Sequence, residues 1–229
     1  LNPNVLKEAR RLDEQKENVN IHPINGMPIL LKDNIDALPM ATTAGAAAMS
    51  ENYPKENAFV VTQLKSKGAL ILGKVNLSEW AYYFCQGCPL GYSAMGGQTL
   101  NPYGRKLFET GGSSSGSGVA VAANYAVAAL GSETSGSILS PSGKNSLVGL
   151  KPTIGAISRS GIVPISSSMD TAGPMTKYVI DNAILMSAMT GKDTDDPSSY
   201  ESLPIRFDHL DTVSFKGVRL GLNQNFEKD

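Results

Sequence analysis

The chain has 229 residues, of which 41% are hydrophobic and 18% charged, enough apolar material for one sizeable core. Its net charge of −1 gives no support to nucleic acid or an anionic membrane as partner. Its apolar runs are too short to span a bilayer, and no segment has the layout of a signal peptide, although the chain opens at Leu1 without a Met.

In chain order, NPNVLKEARRLDEQK predicts a helix, with Asn2 as cap, Pro3 in the first turn and Val5, Leu6, Ala9 and Leu12 on one face. MPILL, at 27–31, reads as a buried strand that ends at Lys32, Asp33 and Asn34. Residues 57–67 form a second amphipathic pattern closed by Gly68, and ALILG after it is another buried strand. Asn76 is expected to cap a helix over LSEWAYY. The small residues of 117–126 predict a helix packed closely on its neighbours, followed by a third strand, VAAL, that runs into GSETSGS. Residues 176–189 are expected to be helical, the Asp-rich 191–204 to be a surface loop or linker, and GVRLGL at 217–222 to be a late strand. Strands alternating with helices imply an α/β fold with a mixed or parallel sheet.

Cys85 and Cys88 form a CQGC pair. A zinc site needs two more ligands, and the two histidines, His22 and His209, are not in a ligand-spaced pair. The expected reading is two incidental small residues. A local disulfide stays open, and with it the compartment.

The stretch ETGGSSSGSGVAVA poses a choice between linker, phosphate cradle and catalytic loop. Gly/Ser linkers are flanked by polar sequence, whereas this one runs into an apolar helix in mid-chain. A Walker loop needs a lysine directly after its last glycine, and the next lysine is Lys144. The dinucleotide fingerprint fails because Val121 stands where Gly or Ala is required. Catalysis needs a nucleophile, a base and donors for an oxyanion. There is no G-x-S-x-G elbow, no lysine lies three residues after a serine, and both histidines read as structural.

Lys32 is the remaining candidate base. It follows Pro28, Ile29, Leu30 and Leu31, so its stem should enter the interior, where burial disfavours the ammonium. A surface lysine at a strand end is the competing reading. Ser137 sits among small residues in ETSGSILSPSG, where the N–H groups of Thr134, Ser135, Gly136 and Ser137 can converge on one oxygen. An ordinary Ser/Gly turn competes with that reading.

Four segments, LLKDNI, GGQTLNPYGRKLFETGGSSSGSGVAVAAN, GSETSGSILSPSGKNSLVGLKPTIG and SMDTAGPMT, together resemble the amidase signature family over residues 2 to about 189. The serine run and ISSSMDTAGPMT look most like the bacterial, peptide amidase-like members. The resemblance implies a mixed β-sheet flanked by α-helices and a Ser–cis-Ser–Lys triad. Ser137 would be the nucleophile, Ser113 the bridging serine after a cis bond from Gly112, and Lys32 the base. Thr134, Ser135, Gly136 and Ser137 would supply the oxyanion hole. An acyl-enzyme route needs no metal or cofactor, and the implied partner is a small-molecule or peptide amide.

The chain departs from the family pattern at Glu133, Ser135 and Leu139, around the nucleophile; many members have Asp, Gly and Arg there. Ser115 replaces a glycine found in many members. Family members are also about twice this length. Residues 1–229 are therefore expected to be a single core domain and a fragment of a longer chain. Competing expectations are an amidotransferase-type component of a complex that acts on charged tRNA, and an inactive fragment.

Overall fold

The computed structural model describes residues 1–14, 22–85, 87–202, 205, 214–219 and 221. Along them run α1 (Val5–Glu14), β1 (Pro28–Lys32), α2 (Phe59–Ser66), β2 (Leu70–Val75), β3 (Tyr92–Ser93), β4 (Gly97–Gln98), α3 (Ser115–Ala122), β5 (Ala128–Glu133), α4 (Leu139–Lys144), β6 (Val148–Gly149), β7 (Thr171–Thr176) and α5 (Val179–Met189). Five strands make one sheet in the order β2-β1-β5-β7-β6, and β3 pairs with β4 apart from it. β1 is parallel to β2 and β5, while β7 is antiparallel to β5 and β6, so the sheet is mixed.

β1 lies between two parallel strands and is covered on both faces, which is why Ile29, Leu30 and Leu31 are continuously apolar rather than alternating, whereas Met27 falls before the strand and is exposed. Ile29 and Leu31 pack with Val60, Val61 and Leu64 of α2 and with Leu185 and Met189 of α5. Leu30 points the other way, to Ala120 and Val121 of α3. Each such side chain contributes roughly 1.5–3 kcal/mol on burial. α3 approaches so closely that a Cβ on Gly116 would stand 2.4 Å from the Asn76 carbonyl oxygen. The small residues of the serine run are a packing requirement as much as a chemical one.

The helix over 57–67 is found as α2, and Gly68 closes it at φ +82° with paired bonds from Gly68 N–H to Lys65 and from Ala69 N–H to Leu64. Asn2 accepts the Asn4 N–H and donates to the Ile71 carbonyl, so it fastens the chain to β2 while α1 starts at Val5. Val5, Ala9 and Leu12 are half-buried, but Leu6 is exposed, so the predicted apolar face is only partly covered.

Three expectations are corrected. LSEWAYY is not an α-helix: it holds a short 3₁₀ segment, Glu79–Tyr82, with Trp80, Ala81 and Tyr82 at positive φ. Asn76 does not cap it; its amide donates to Gly91, Gly97 and Thr99 and takes the Ser93 hydroxyl, organising the β3–β4 loop. Thr176 ends a strand, and α5 begins at Val179. TAGPMT forms β7 although Gly173 and Pro174 argue against a strand. Pro174 fits because its carbonyl, and hence its missing N–H, faces Leu150 just beyond the two-residue β6 ladder.

The Asp-rich segment is no free linker either. Over its described residues, 191–202, Asp196 forms a two-pronged pair with Arg159, and Asp193 accepts the Ser158 hydroxyl at 2.5 Å. Both aspartates are buried because both are paired. The late strand of 217–222 lies partly outside the described residues, and 217–219 form a turn and coil. His209, Gln15 and Lys16 also lie outside them. Among the described residues no helix is long and apolar enough to cross a membrane.

Candidate active site

β1 and β5 deliver the site side by side. At the C-terminal end of β1, the Lys32 side chain is fully buried, and its amine lies 2.6 Å from the Ser113 hydroxyl. The same nitrogen bonds to Ser132 of β5 twice, to its carbonyl at 3.1 Å and to its hydroxyl at 3.0 Å. Burial pulls the Lys32 amine down to about 7, and the nearby carboxylates of Glu133 and Asp170 oppose that shift. The surface reading of Lys32 is thereby excluded.

The Gly112–Ser113 peptide bond is cis. Every hydroxyl of the following serines is buried and bonded, which excludes a linker. Ser114 exchanges bonds with the Ser132 backbone, Ser115 donates to Gly111, and Ser117 donates to Leu130. Ser114 N–H also donates to the Ser137 carbonyl at 3.1 Å, tying the serine run to the loop after β5. The Ser137 side chain is half-buried, and its hydroxyl makes no hydrogen bond among the described residues. Thus Lys32 and Ser113 are in direct contact, whereas Ser137 meets the serine loop through its backbone.

Glu133, noted in the sequence only as a departure from the family pattern, holds this loop together. Its carboxylate accepts the N–H groups of Gly136 at 2.7 Å, Ile138 at 2.6 Å and Leu139 at 3.0 Å. A negative group at the start of α4 also suits the exposed N–H ends of that helix, and Pro141, third in the helix, gives up no needed donor. One consequence bears on the donors expected for an oxyanion. The Gly136 N–H serves Glu133, while those of Thr134, Ser135 and Ser137 have no acceptor among the described residues.

Asp170 does for the other side what Glu133 does for α4. It accepts the Thr134 hydroxyl at 2.5 Å and the N–H groups of Ile165 and Ser166 at 2.7 and 2.9 Å. Sequence reasoning missed Ser132, Glu133 and Asp170 as organisers. The available signal was that all three stand in the segments that carry the family resemblance, GSETSGS and SMDTAGPMT.

Beside this cluster opens a cavity of about 390 Å³. Asn34, Thr134, Arg159, Val163, Ile165 and Asp170 are among its walls; Ser113 and Ser137 are not. A second cavity of about 300 Å³ shares Asn34 and Val163 with it and is walled by Trp80, Tyr83 and Phe84. Next to these aromatics Cys85 and Cys88 are joined in a disulfide, which corrects the reading of them as incidental. His22 is structural, as expected: one ring nitrogen accepts the Ile24 N–H and the other meets the Ser187 hydroxyl.

The sequence profile of the amidase family matches residues 1–229. This chain belongs to the amidase family. Among its relatives are a putative amidase of Arthroderma benhamiae, 39% identical over all of this chain and 39% of that protein, and a probable amidase of Arabidopsis thaliana, 42% identical over 96% of this chain and 45% of that one. A glutamyl-tRNA(Gln) amidotransferase subunit of Levilactobacillus brevis is 39% identical over 98% of this chain and 45% of that protein. The solved peptide amidase of Stenotrophomonas maltophilia is 50% identical, with a TM-score of 0.83 over 87% of this chain and 41% of that one. The relatives span fungi, plants and bacteria, so the likeness does not confine the chain to bacteria. The chain spans less than half the length of these relatives.

Proposed function

We propose that this chain carries the catalytic centre of a serine amidase that hydrolyses carboxylic or peptide amides through an acyl-enzyme. The observation that supports it most is the buried Lys32 amine, held at a neutral-range basicity 2.6 Å from the Ser113 hydroxyl. Lys32 takes the Ser113 proton, Ser113 takes the Ser137 proton, and Ser137 Oγ attacks the amide carbonyl carbon. The oxyanion is received by the N–H groups of Thr134, Ser135 and Ser137, an interaction in which the loss of one donor typically lowers the rate by about a hundred- to thousandfold. As the C–N bond breaks, the proton returns along the same path to the departing ammonia or amine. Water then cleaves the ester at Ser137, with the same relay acting as base. The Ser113–Ser137 leg closes with substrate, as catalytic hydrogen bonds in free enzymes are often long. This path calls on no metal or cofactor.

The amidotransferase reading rests on relatives such as the Levilactobacillus brevis protein. The amidase reading is favoured because the solved peptide amidase is 50% identical at a TM-score of 0.83, against 36% and 0.69 for a solved glutamyl-tRNA(Gln) amidotransferase subunit of Thermotoga maritima. Ammonia release from free amides, without tRNA or added partner proteins, tests the choice. It is expected from the wild type and lost in Ser137→Ala and Lys32→Ala; undiminished turnover in both variants overturns the proposal.

A further inference from the structure

We propose that Ser132, braced by Asn34 and Ser114, is a positioning residue that engages the N–H bonds of the neutral Lys32 amine and so turns its lone pair toward Ser113. The inference rests on the amidase reading above and adds to it a residue outside the Ser–Ser–Lys set.

A lysine that acts as base has two N–H bonds and one lone pair. Three oxygens surround the Lys32 nitrogen: the Ser132 carbonyl at 3.1 Å, the Ser132 hydroxyl at 3.0 Å and the Ser113 hydroxyl at 2.6 Å. A carbonyl oxygen only accepts, so it takes one N–H. If the Ser132 hydroxyl takes the second, the lone pair is left for the Ser113 proton. If Ser132 instead donates to the amine, Lys32 must donate to Ser113, and the relay runs backward. One residue therefore decides the direction of proton flow.

Ser132 is held for that role on three sides. Asn34, itself buried, reaches its hydroxyl at 2.8 Å, and the Ser114 hydroxyl bonds both its carbonyl and its N–H, at 3.2 and 3.3 Å. β5 fixes the backbone between β1 and β7, so the carbonyl and hydroxyl approach the amine together. The charged groups acting on Lys32 are Glu133 of β5 and Asp170 before β7, while Asp33, just after β1, pairs with Lys74 of β2 at 3.0 Å.

The test compares Ser132→Ala, Ser132→Thr and Lys32→Ala in the full chain, with initial rates of ammonia release measured against pH. Ser132→Ala is expected to lower kcat about ten- to a hundredfold with KM within about twofold. Its acid limb should move to lower pH, because the lost hydroxyl had also accepted a bond from the ammonium and favoured the charged form. Ser132→Thr, which keeps the hydroxyl, should recover most of kcat. A merely structural role predicts the opposite pH movement: a loosened site admits water and returns Lys32 toward its ordinary, higher value. Unchanged kcat in Ser132→Ala, or an acid limb that moves up, overturns the role of Ser132. Wild-type turnover in Lys32→Ala instead overturns the amidase reading itself.

Discussion

The Lys32 amine and the Ser113 hydroxyl lie 2.6 Å apart although 81 residues separate them in sequence. The contact exists because β1 and β5 are parallel neighbours and α3, which follows the serine loop, packs across both. It sets a fully buried amine against a hydroxyl at the mouth of a loop that also holds the Ser137 backbone.

Activity should follow the neutral form of Lys32. Its value is pulled down to about 7, so kcat/KM is expected to rise tenfold per pH unit well below 7 and to level off above it. An amide whose chemical step limits turnover is the substrate to use. A profile governed instead by a group near 10 would show that the amine keeps its ordinary basicity and is not held near 7.

The same burial makes a stability prediction with a definite sign. The folded state holds Lys32 at about 7 and the unfolded chain near its ordinary value, so between these limits the unfolded state binds more protons. Stability from this group therefore increases as pH rises from about 7 toward 10.5, by on the order of 5 kcal/mol at 1.36 kcal/mol per unit. Lys32→Met, which cannot titrate, should be more stable than the wild type at pH 6 and lose that advantage by pH 10. Urea titrations at both pH values measure it.

Glu133→Ala leaves three N–H groups at the start of α4 without their acceptor. A loss of about 2–4 kcal/mol is expected, since each bond to a charged group contributes roughly 1.5–3 kcal/mol and the freed groups partly find water. Glu133→Gln keeps the shape and removes the charge. Because that charge raises Lys32, the acid limb of Glu133→Gln should move to lower pH.

Asp196 is held down to about 2 by the Arg159 guanidinium and by backbone donors. Its stabilisation is present above the unfolded value of 3.8 and is lost as pH falls toward 2. Asp196→Ala takes from the guanidinium its carboxylate partner, leaving it the Ser167 carbonyl, and removes one of the anchors of residues 191–202 while Asp193–Ser158 remains. It should lower stability by about 2–4 kcal/mol at pH 7 and raise KM more than it lowers kcat. Equal stability of mutant and wild type at pH 7 would contradict this.

Much of this was legible in the residues. The apolar run before Lys32 pointed to a buried amine against a competing surface reading, and the apolar segment after the serine run weighed against a linker. What was not legible depended on tertiary pairing. TAGPMT is a strand because Pro174 falls where the ladder stops, and LSPSGK is a helix because Glu133 caps it from outside. LSEWAYY has the composition of a helix, yet its backbone turns left-handed at three successive residues beside the disulfide. Asp193 and Asp196 read as solvated because their partners, Ser158 and Arg159, lie 35 and 37 residues away.

The most direct test is to quench the enzyme in acid during turnover of a slow amide and map the acylated peptide by mass. The acyl group should sit on Ser137 in the wild type and be absent in Lys32→Ala and Ser113→Ala. Acyl on another residue, or full acylation of Ser137 without Lys32, would contradict the account.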